Sequence, residues 1–384
     1  DATNVITLGN TGVSDAVGNA GIGTTDSNNY AVDTQRPTVL ISVSDTSLIA
    51  GETSLVTIAF SEAVTGFDNA DLTIANGTLS NVATANGGVT WTATLTPTAE
   101  LIDATNVISL NVTGVSDAAG NAGVGTSNSN NYTINTVRPT AGIVVTDTSL
   151  IVGETSLVTI TFSEAVTGFG NADLTIASGT LSAVATTDGG ITWTATFTPT
   201  ASISDATNVI TLQNAGVLNG AGNAGVGTTD SNNYAVDTVR PTATILVADT
   251  SLTVGETSLV TIAFIEPVTG FSNADLTIPS GTLSAVATTD GGITWTATFT
   301  PTASITDATN VITLDYTGVS DTSGNAGVGT TDSNNYAVDT VRPTATIVVA
   351  DTSLIIGETS LVTITFSEAV AGFSNADLTI PSGT

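Results

Sequence analysis

The chain of 384 residues contains no Lys, His, Cys or Met. Its only basic residues are 4 arginines, set against 34 Asp and Glu, which gives a formal net charge of -30 at pH 7. Without Cys and His, disulfides and the usual zinc, copper, haem and iron–sulfur ligand sets are excluded. Nucleic acid and anionic lipid are excluded as partners, because binding them requires Lys and Arg. Only oxygen ligands, which suit hard cations, remain for a metal ion.

Long hydrophobic runs are also missing. No uninterrupted apolar segment approaches the roughly 20 residues that span a bilayer, so we expect no membrane insertion. The first residues, DATNVITL, lack the charged and apolar regions of a signal peptide. We therefore expect any targeting segment to lie outside this sequence.

The four arginines are spaced at a constant interval of 102 residues, and each is followed by Pro-Thr. The same interval separates the tryptophans and one set of glutamates. These positions are Arg36, Arg138, Arg240 and Arg342; Trp91, Trp193 and Trp295; and Glu52, Glu154, Glu256 and Glu358. The spacing predicts complete repeats at 36–137, 138–239 and 240–341, with partial repeats at 1–35 and 342–384. We expect a longer parent protein that continues in both directions.

Each repeat reads as a series of short strands. In the reference repeat, 36–137, the segment 88–97 alternates apolar residues with threonines, as in a strand with one buried face. Similar segments rich in Val, Ile and Thr, bounded by turn residues, complete a set of seven. The predicted strands are 38–44, 55–60, 71–74, 78–83, 88–97, 107–112 and 131–135. Seven short antiparallel strands in about 100 residues predict an all-β fold of tandem immunoglobulin-like sandwiches.

This topology places the acidic loops at the two ends of each sandwich. Asp45, Glu52 and Asp103 are predicted at the C-terminal pole, and Glu62, Asp71 and Asp117 at the N-terminal pole. Linkers such as 31–38, AVDTQRPT, are predicted to be short and semi-rigid because proline fixes φ. We expect the single arginine of each linker to pair with carboxylates at the joint.

The loop V-S-D-x-x-G-N-A-G recurs at 13–21, 115–123 and 319–327, with VLNGAGNAG at 217–225. It supplies a carboxylate, a glycine turn and an amide, which are oxygen ligands of the kind that Ca²⁺ prefers. The alternative is that Asp and Gly serve only the turn. Because an acidic excess without Lys would drive neighbouring poles apart, we favour bridging Ca²⁺, several ions per repeat. The candidate ligands are Asp15, Asp26, Asp33, Asp45, Glu52, Glu62, Asp71, Asp103, Asp117, Asn121, Asp147, Glu154, Glu164, Asp173, Asp205, Asp230, Asp237, Asp249, Glu256, Glu266, Asp275, Asp307, Asp321, Asn325, Asp332 and Asp339.

One joint differs from the others. Asn135 replaces the Asp found at 33, 237 and 339, and Asn219 replaces the Asp found at 15, 117 and 321. Both substitutions fall at the joint before Arg138, which loses two formal charges. Because carboxylate count tunes Ca²⁺ affinity, we predict that this joint binds calcium most weakly of the three interior joints.

Two other classes of function are an enzyme and a binding module. Glu62 and Asp71 could form an acid/base pair, but the pair recurs in every copy and no Ser-His, Cys-His or Lys nucleophile exists, so we expect no enzymatic activity. Each repeat could instead bind glycan, another cell or ice. The only candidate face is the threonine row at 90, 92, 94 and 96, and the solvent side of an ordinary strand explains that row.

The motifs V-D-T-x-R-P-T, G-E-T-S-L-V-T-I-x-F-S-E-A-V and V-S-D-x-x-G-N together resemble the bacterial Ig-like extender repeats of giant RTX-type adhesins, over the whole chain. The resemblance extends to the calcium-dependent arm of an ice-binding adhesin. It implies secretion to the bacterial cell surface and Ca²⁺ within and between domains. It also implies a stiff monomeric rod that projects a separate adhesive domain. No G-G-x-G-x-D array is present.

Overall fold

A computed structural model of the chain describes residues 1–382. Within them the regular elements are short β-strands and single-turn 3-10 helices, and no α-helix occurs. That part of the chain also has no helix with the length and apolar character needed to cross a membrane. The predicted all-β fold of tandem Ig-like sandwiches is confirmed. Residues 383 and 384, the end of the last partial repeat, lie outside the described residues.

The reference repeat contains more strand segments than the sequence predicts, because several predicted strands are interrupted and short edge segments pair with them. Its strands are Val39–Val43, Ser47–Ile49, Ser54–Phe60, Val64–Thr65, Leu72–Ile74, Gly77–Leu79, Ala83–Thr84, Thr90–Pro97, Ile102–Asn106, Ile108–Asn111, Ser116–Asp117, Thr126–Asn128 and Tyr132–Asn135.

The other copies repeat this order. The second contains Ala141–Val145, Ser149–Leu150, Ser156–Phe162, Val166–Thr167, Leu174–Ile176, Gly179–Leu181, Ala185–Thr186, Thr192–Pro199, Ser204–Asn208, Ile210–Gln213, Leu218–Asn219, Thr228–Asp230 and Tyr234–Asp237. The third contains Ala243–Val247, Ser251–Leu252, Ser258–Phe264, Val268–Thr269, Leu276–Thr277, Gly281–Leu283, Ala287–Thr288, Thr294–Pro301, Thr306–Asn310, Thr313–Asp315, Ser320–Asp321, Thr330–Asp332 and Tyr336–Asp339. The partial copies contain Thr7–Gly9, Thr24–Asp26, Ala345–Val349 and Val362–Phe366. The 3-10 helices are Asn10–Gly12, Asn69–Asp71, Val112–Gly114, Asn171–Asp173, Asn214–Gly216, Asn273–Asp275, Tyr316–Gly318 and Asn375–Asp377.

Two layers of strands enclose each core. The first layer of the reference repeat is an antiparallel sheet in the order 39–43, 54–60, 90–97, 77–79, with 83–84 also pairing to 90–97. The opposite layer is built from two three-stranded sheets, 72–74 with 108–111 and 126–128, and 102–106 with 132–135 and 47–49. The segment Ser47–Ile49 runs parallel to the final strand, whereas the other pairings are antiparallel.

Alternation along the strands sets the burial. Ala93 and Leu95 are buried, and Thr92 and Thr94 between and beside them are exposed, as expected for the solvent side of an ordinary strand. The half-buried Trp91 packs edge-on against Phe67 with ring centroids 5.2 Å apart. Each complete repeat has its own hydrophobic cluster, so each is a separate structural unit along the chain.

A buried tyrosine holds the segment between Leu72–Ile74 and Gly77–Leu79, where the chain passes from one layer to the other. Tyr132 is fully buried, and its hydroxyl donates to the Ala75 carbonyl at 2.9 Å. The equivalent hydroxyl of Tyr234 donates to Ala177 at 2.6 Å. Burial raises the pKa of Tyr234 to about 12, with a further contribution from the nearby Asp205.

One buried polar group near this tyrosine is satisfied in the reference repeat only. Asn76 Nδ2 donates to Asp103 Oδ2 at 2.7 Å and to Asn106 Oδ1 at 2.8 Å. The residues equivalent to Asn76 are Ser178 and Ser280. In those repeats the equivalent acceptors, the Oδ1 atoms of Asn208 and Asn310, are buried without a hydrogen-bond partner.

We predict that Ser178→Asn raises the melting temperature of the second repeat, because the new amide would satisfy Asn208. The gain should be about 1 kcal/mol, the usual net value of one hydrogen bond. Position 178 already has φ 56°, which matches φ 56° at Asn76, and Asn tolerates this region better than most residues. Differential scanning calorimetry of the full chain measures the shift. The reciprocal Asn76→Ser should lower the stability of the reference repeat, and a rise or no change there would contradict the explanation.

Candidate metal centres at the joints

The recurring S-D-x-x-G-N loop is held by its aspartate. Asp117 Oδ1 accepts the backbone N–H groups of Ala119 at 2.9 Å and Asn121 at 2.8 Å, and its Oδ2 accepts Asn121 Nδ2 at 2.9 Å. Ser116–Asp117 also pairs with Val64–Thr65, which brings the loop beside Glu62. This aspartate therefore organises the turn, and its role as a calcium ligand stays a prediction.

The loop amide also attaches the preceding linker. Asn121 Nδ2 donates to the Asp33 carbonyl at 3.3 Å, and Asn325 Nδ2 donates to the Asp237 carbonyl at 2.9 Å. Across the joint, the Val152 N–H of the preceding repeat donates to Asn325 Oδ1 at 2.8 Å. The C-terminal pole of one repeat thus contacts the N-terminal pole of the next, as the strand order predicts.

The arginines do not behave as predicted. Arg36 Nη1 donates to the Ala122 carbonyl at 2.6 Å, and Arg138 donates to Ala224 in the same way. The expected hydrogen bonds to carboxylates are therefore a wrong prediction for these arginines. The guanidinium instead satisfies a loop carbonyl, which anchors the start of each repeat to its own S-D-x-x-G-N loop.

At two joints this arrangement gathers three carboxylates that could hold a metal ion. In each of these acidic triads, one oxygen from every carboxylate lies within 4.8 Å of the others. The first triad is Asp33, Glu62 and Asp117, and the second is Asp237, Glu266 and Asp321. Asp237 ends the last strand of one repeat, whereas Glu266 and Asp321 belong to the next. Each triad therefore straddles a joint.

The electrostatics of the triads are those of crowded carboxylates. Burial raises the pKa of Glu62, and Asp117 and then Asp33 add to this effect. The pKa of Glu266 is raised in the same way by burial, Asp321 and Asp237. The Asn121 side chain, through its hydrogen bond, lowers the pKa of Asp117. Glu266 Oε1 is buried without a hydrogen-bond partner, so one ligand atom in the second triad lacks any donor.

The joint before Arg138 has the same shape with different chemistry. Asn219 Oδ1 accepts the N–H groups of Ala221 at 3.1 Å and Asn223 at 2.9 Å, as the aspartates do. Its Nδ2 donates to Glu164 Oε1 at 3.0 Å and to the Val137 carbonyl at 3.0 Å. No triad forms there among the described residues, because Glu164 is the only carboxylate of the set.

The remaining predicted ligands lie outside the triads and make hydrogen bonds within their own repeats. Asp45, Asp147 and Asp249 accept the N–H two residues ahead. Glu52, Glu154 and Glu256 accept the N–H three residues before them. Asp71 and Asp275 close capping boxes at 3-10 helices, and Asp173 accepts the Gly170 N–H at the equivalent helix. Asp26, Asp230 and Asp332 accept threonine hydroxyls, and Asp339 accepts that of Thr306. Asp103, Asp205 and Asp307 accept N–H groups two residues ahead, and Asp15 organises its own loop. Calcium binding by these residues stays a prediction.

Several joint residues were not found from the sequence. The candidate ligands include Asn121 and Asn325 but omit their equivalent Asn223, which accepts the Ala50 N–H at 2.7 Å and donates to the Asn135 carbonyl at 2.9 Å. Ser323, whose hydroxyl donates to Asp237 Oδ2 at 2.5 Å, was also omitted. The constant interval could have identified Asn223, whereas backbone donors such as Ala50 leave no signal in the sequence.

The comparison with known families agrees with this architecture. The sequence model described as "Bacterial Ig-like domain" matches residues 33–134, 135–236, 237–338 and 339–384. The chain belongs to the bacterial Ig-like domain family. Each matched segment begins at the linker Asp or Asn, and in the first three segments this is the residue whose carbonyl accepts the loop amide. No curated protein matches these bacterial Ig-like repeats.

Similar solved structures include a bacterial adhesin and two tandem-repeat chains. The adhesin FdeC of Escherichia coli is 13% identical over 78% of this chain and 96% of its own, with a TM-score of 0.31. The I9–I11 tandem of titin is 7% identical over 79% and 98%, with a TM-score of 0.27. The tandem Ig repeats of Dlar are 14% identical over 53% and 100%, with a TM-score of 0.18. At these TM-scores the similarities carry no functional argument.

We predict that Glu62→Gln with Glu266→Gln raises the melting temperature by a few degrees in metal-free buffer at neutral pH. Because the pKa values of these glutamates lie above the ordinary 4.5 in the folded state, the stability linked to their protonation is present below pH 4.5 and is lost as pH rises through the raised values. The variant should therefore lose less stability than the wild type between pH 4.5 and 7. Melting followed by circular dichroism across this range tests the sign, and identical pH profiles would contradict it.

Proposed function

We propose that this chain is a calcium-stabilised, non-enzymatic extender of a bacterial cell-surface adhesin, a spacer that projects a separate adhesive domain. The observation that carries this proposal is the position of the acidic triads. Each triad joins an aspartate at the C-terminal end of one repeat to two carboxylates at the N-terminal pole of the next. A cation bound there would fix the orientation of consecutive repeats, which is what a spacer requires.

The donor set of the triads fits calcium. Ca²⁺ takes six to eight oxygen ligands from carboxylates, carbonyls and water in flexible geometry. Three carboxylates supply up to six oxygens, and the buried Oε1 of Glu266 lacks any other partner. Mg²⁺ demands a more regular geometry and usually binds through one or two carboxylates. When bound, the ion would supply positive charge that offsets the repulsion between the triad carboxylates.

The chain's own residues do the rest. Asp33 and Asp237 bring ligands from the preceding repeat, while Glu62, Asp117, Glu266 and Asp321 bring ligands from the following one. The loop amides of Asn121 and Asn325 hold the linker carbonyls in place. Binding to the folded joints stabilises them by RT ln(1 + [L]/Kd), about 2.7 kcal/mol at 100 times Kd. Extracellular calcium would then stiffen a chain that is looser in a calcium-poor cytoplasm.

Membership in the bacterial Ig-like family supports a place outside the cell, on the bacterial surface. The motif resemblance points further, to the RTX-type calcium-dependent adhesins. We also propose that the chain acts as a monomeric rod whose main partners are calcium ions and its own neighbouring repeats.

We predict that removing calcium from the full chain lowers its melting temperature and shortens its maximum dimension. The physical reason is that the triads then hold unneutralised carboxylates at the joints. Small-angle X-ray scattering and calorimetry measure both effects in calcium and in excess chelator. The calcium concentration should be about 100 times the Kd or more, so that the joints are saturated. Unchanged dimensions and melting would mean that calcium has no structural role.

A charge-matched pair of variants sharpens this experiment. Glu62→Gln with Glu266→Gln should weaken the calcium response, because it removes one ligand charge from each triad. Asp188→Asn with Asp290→Asn removes the same number of charges at residues outside the candidate ligands, and Asn86 occupies the equivalent position in the reference repeat. The second variant should keep the full response. Equal losses in both variants would point to general charge screening instead of bound ions.

A further inference from the structure

The middle joint, between repeats 36–137 and 138–239, reverses the polarity of one hydrogen bond relative to the two flanking joints, which precede Arg36 and Arg240. In the flanking joint, Asp321 Oδ2 accepts Asn325 Nδ2 at 2.8 Å and lies in a triad with Glu266 and Asp237. In the middle joint the equivalent atom is Asn219 Nδ2, which donates to Glu164 Oε1 at 3.0 Å. A single change from oxygen to nitrogen therefore turns a carboxylate–carboxylate approach into a hydrogen bond.

The acceptor left without a donor in one joint is satisfied in the other. Glu266 Oε1 is buried and has no hydrogen-bond partner, and the same atom of Glu368 in the last partial repeat is also unpartnered. Glu164 Oε1, the equivalent atom in the middle joint, has Asn219 as its donor. Because a buried acceptor without a partner is destabilising, Glu266 requires a hydrogen-bond donor or a cation, whereas Glu164 already has the Asn219 amide.

The contacts between repeats do not depend on this difference. Asn223 Oδ1 accepts the Ala50 N–H at 2.7 Å, and Asn325 Oδ1 accepts the Val152 N–H at 2.8 Å. The linker carbonyls of Asn135 and Asp237 accept the corresponding amides, both at 2.9 Å. The middle joint thus has the same inter-repeat frame without three carboxylates to neutralise.

We propose that the Asn219 amide takes the place of the cation at the middle joint, so that this joint stays closed without calcium. The inference rests on the proposed function for the two flanking joints. Weak calcium binding at the middle joint then indicates a joint that does not need calcium. The joint with the least affinity for calcium is the one that keeps its geometry when calcium is withdrawn, and repeats 36–137 and 138–239 form one calcium-independent rigid pair.

The absence of cysteine allows a direct test on the full chain by paired spin labels. Thr92→Cys with Thr194→Cys spans the middle joint, and Thr194→Cys with Thr296→Cys spans the next joint at equivalent exposed positions. Pulsed electron–electron double resonance gives the distance distribution of each spin-label pair in calcium and in chelator. We expect the 194–296 distribution to broaden in chelator and the 92–194 distribution to stay narrow. Broadening of both would overturn the inference and leave the proposed function standing.

Reciprocal variants separate the two ideas. Asn135→Asp with Asn219→Asp should build a third triad, add one calcium site by isothermal titration calorimetry, and make the 92–194 distance calcium-dependent. Asp237→Asn with Asp321→Asn should remove one calcium site and keep the 194–296 distance narrow in chelator. If calcium binds nowhere and neither joint responds, the proposed function fails. In that case the Asn135→Asp with Asn219→Asp variant still tests the inference. If the Asn219 amide holds the middle joint closed, this variant broadens the 92–194 distance distribution, and an unchanged distribution overturns the inference.

Discussion

The hydrogen bond between the loop amide and the preceding linker is the contact on which the arrangement of repeats depends. Asn223 and Asn325 donate to the carbonyls of Asn135 and Asp237 and also accept an N–H from the preceding sandwich. Each amide therefore uses donor and acceptor on two different parts of the preceding repeat. The aspartate that orders the loop is four residues before this amide, so it lies beside the same contact.

A consequence of this construction is that stability and repulsion come from the same residues. Asp117 holds its loop by accepting three N–H groups, and it also raises the pKa of Glu62 by its charge. Replacing such an aspartate with asparagine keeps Oδ1, the acceptor that orders the turn, and changes the acceptor Oδ2 into the donor Nδ2. This is why Asn219 can preserve the loop while it changes what the joint requires.

The all-β sandwich and the pole of each acidic loop in the triads could be predicted from the sequence. Alternation over 90–97 and turn residues around each strand predict the sandwich, and strand order alone places Glu62 and Asp117 at one pole. Short segments such as Ser47–Ile49 and Ile102–Asn106 were not predicted, because partners distant in sequence stabilise them rather than any local pattern. The arginine partner was predicted wrongly since net charge favours carboxylates, whereas the fold places a loop carbonyl within reach. Backbone donors such as the Ala50 N–H are invisible to composition, and the polarity of Asn219 becomes informative only once Glu164 is known to face it.

The parallel pairing of Ser47–Ile49 with the final strand bears on how a repeat carries mechanical load. Thr133, Ile134 and Asn135 lie opposite Ser47, Leu48 and Ile49, and the Thr133 N–H donates to the Thr46 carbonyl at 2.9 Å. Tension applied between the two ends of a repeat pulls these parallel segments along their lengths in opposite directions. Their hydrogen bonds are then sheared together instead of being unzipped one at a time. In each complete repeat, this parallel pairing would therefore resist force applied along the chain.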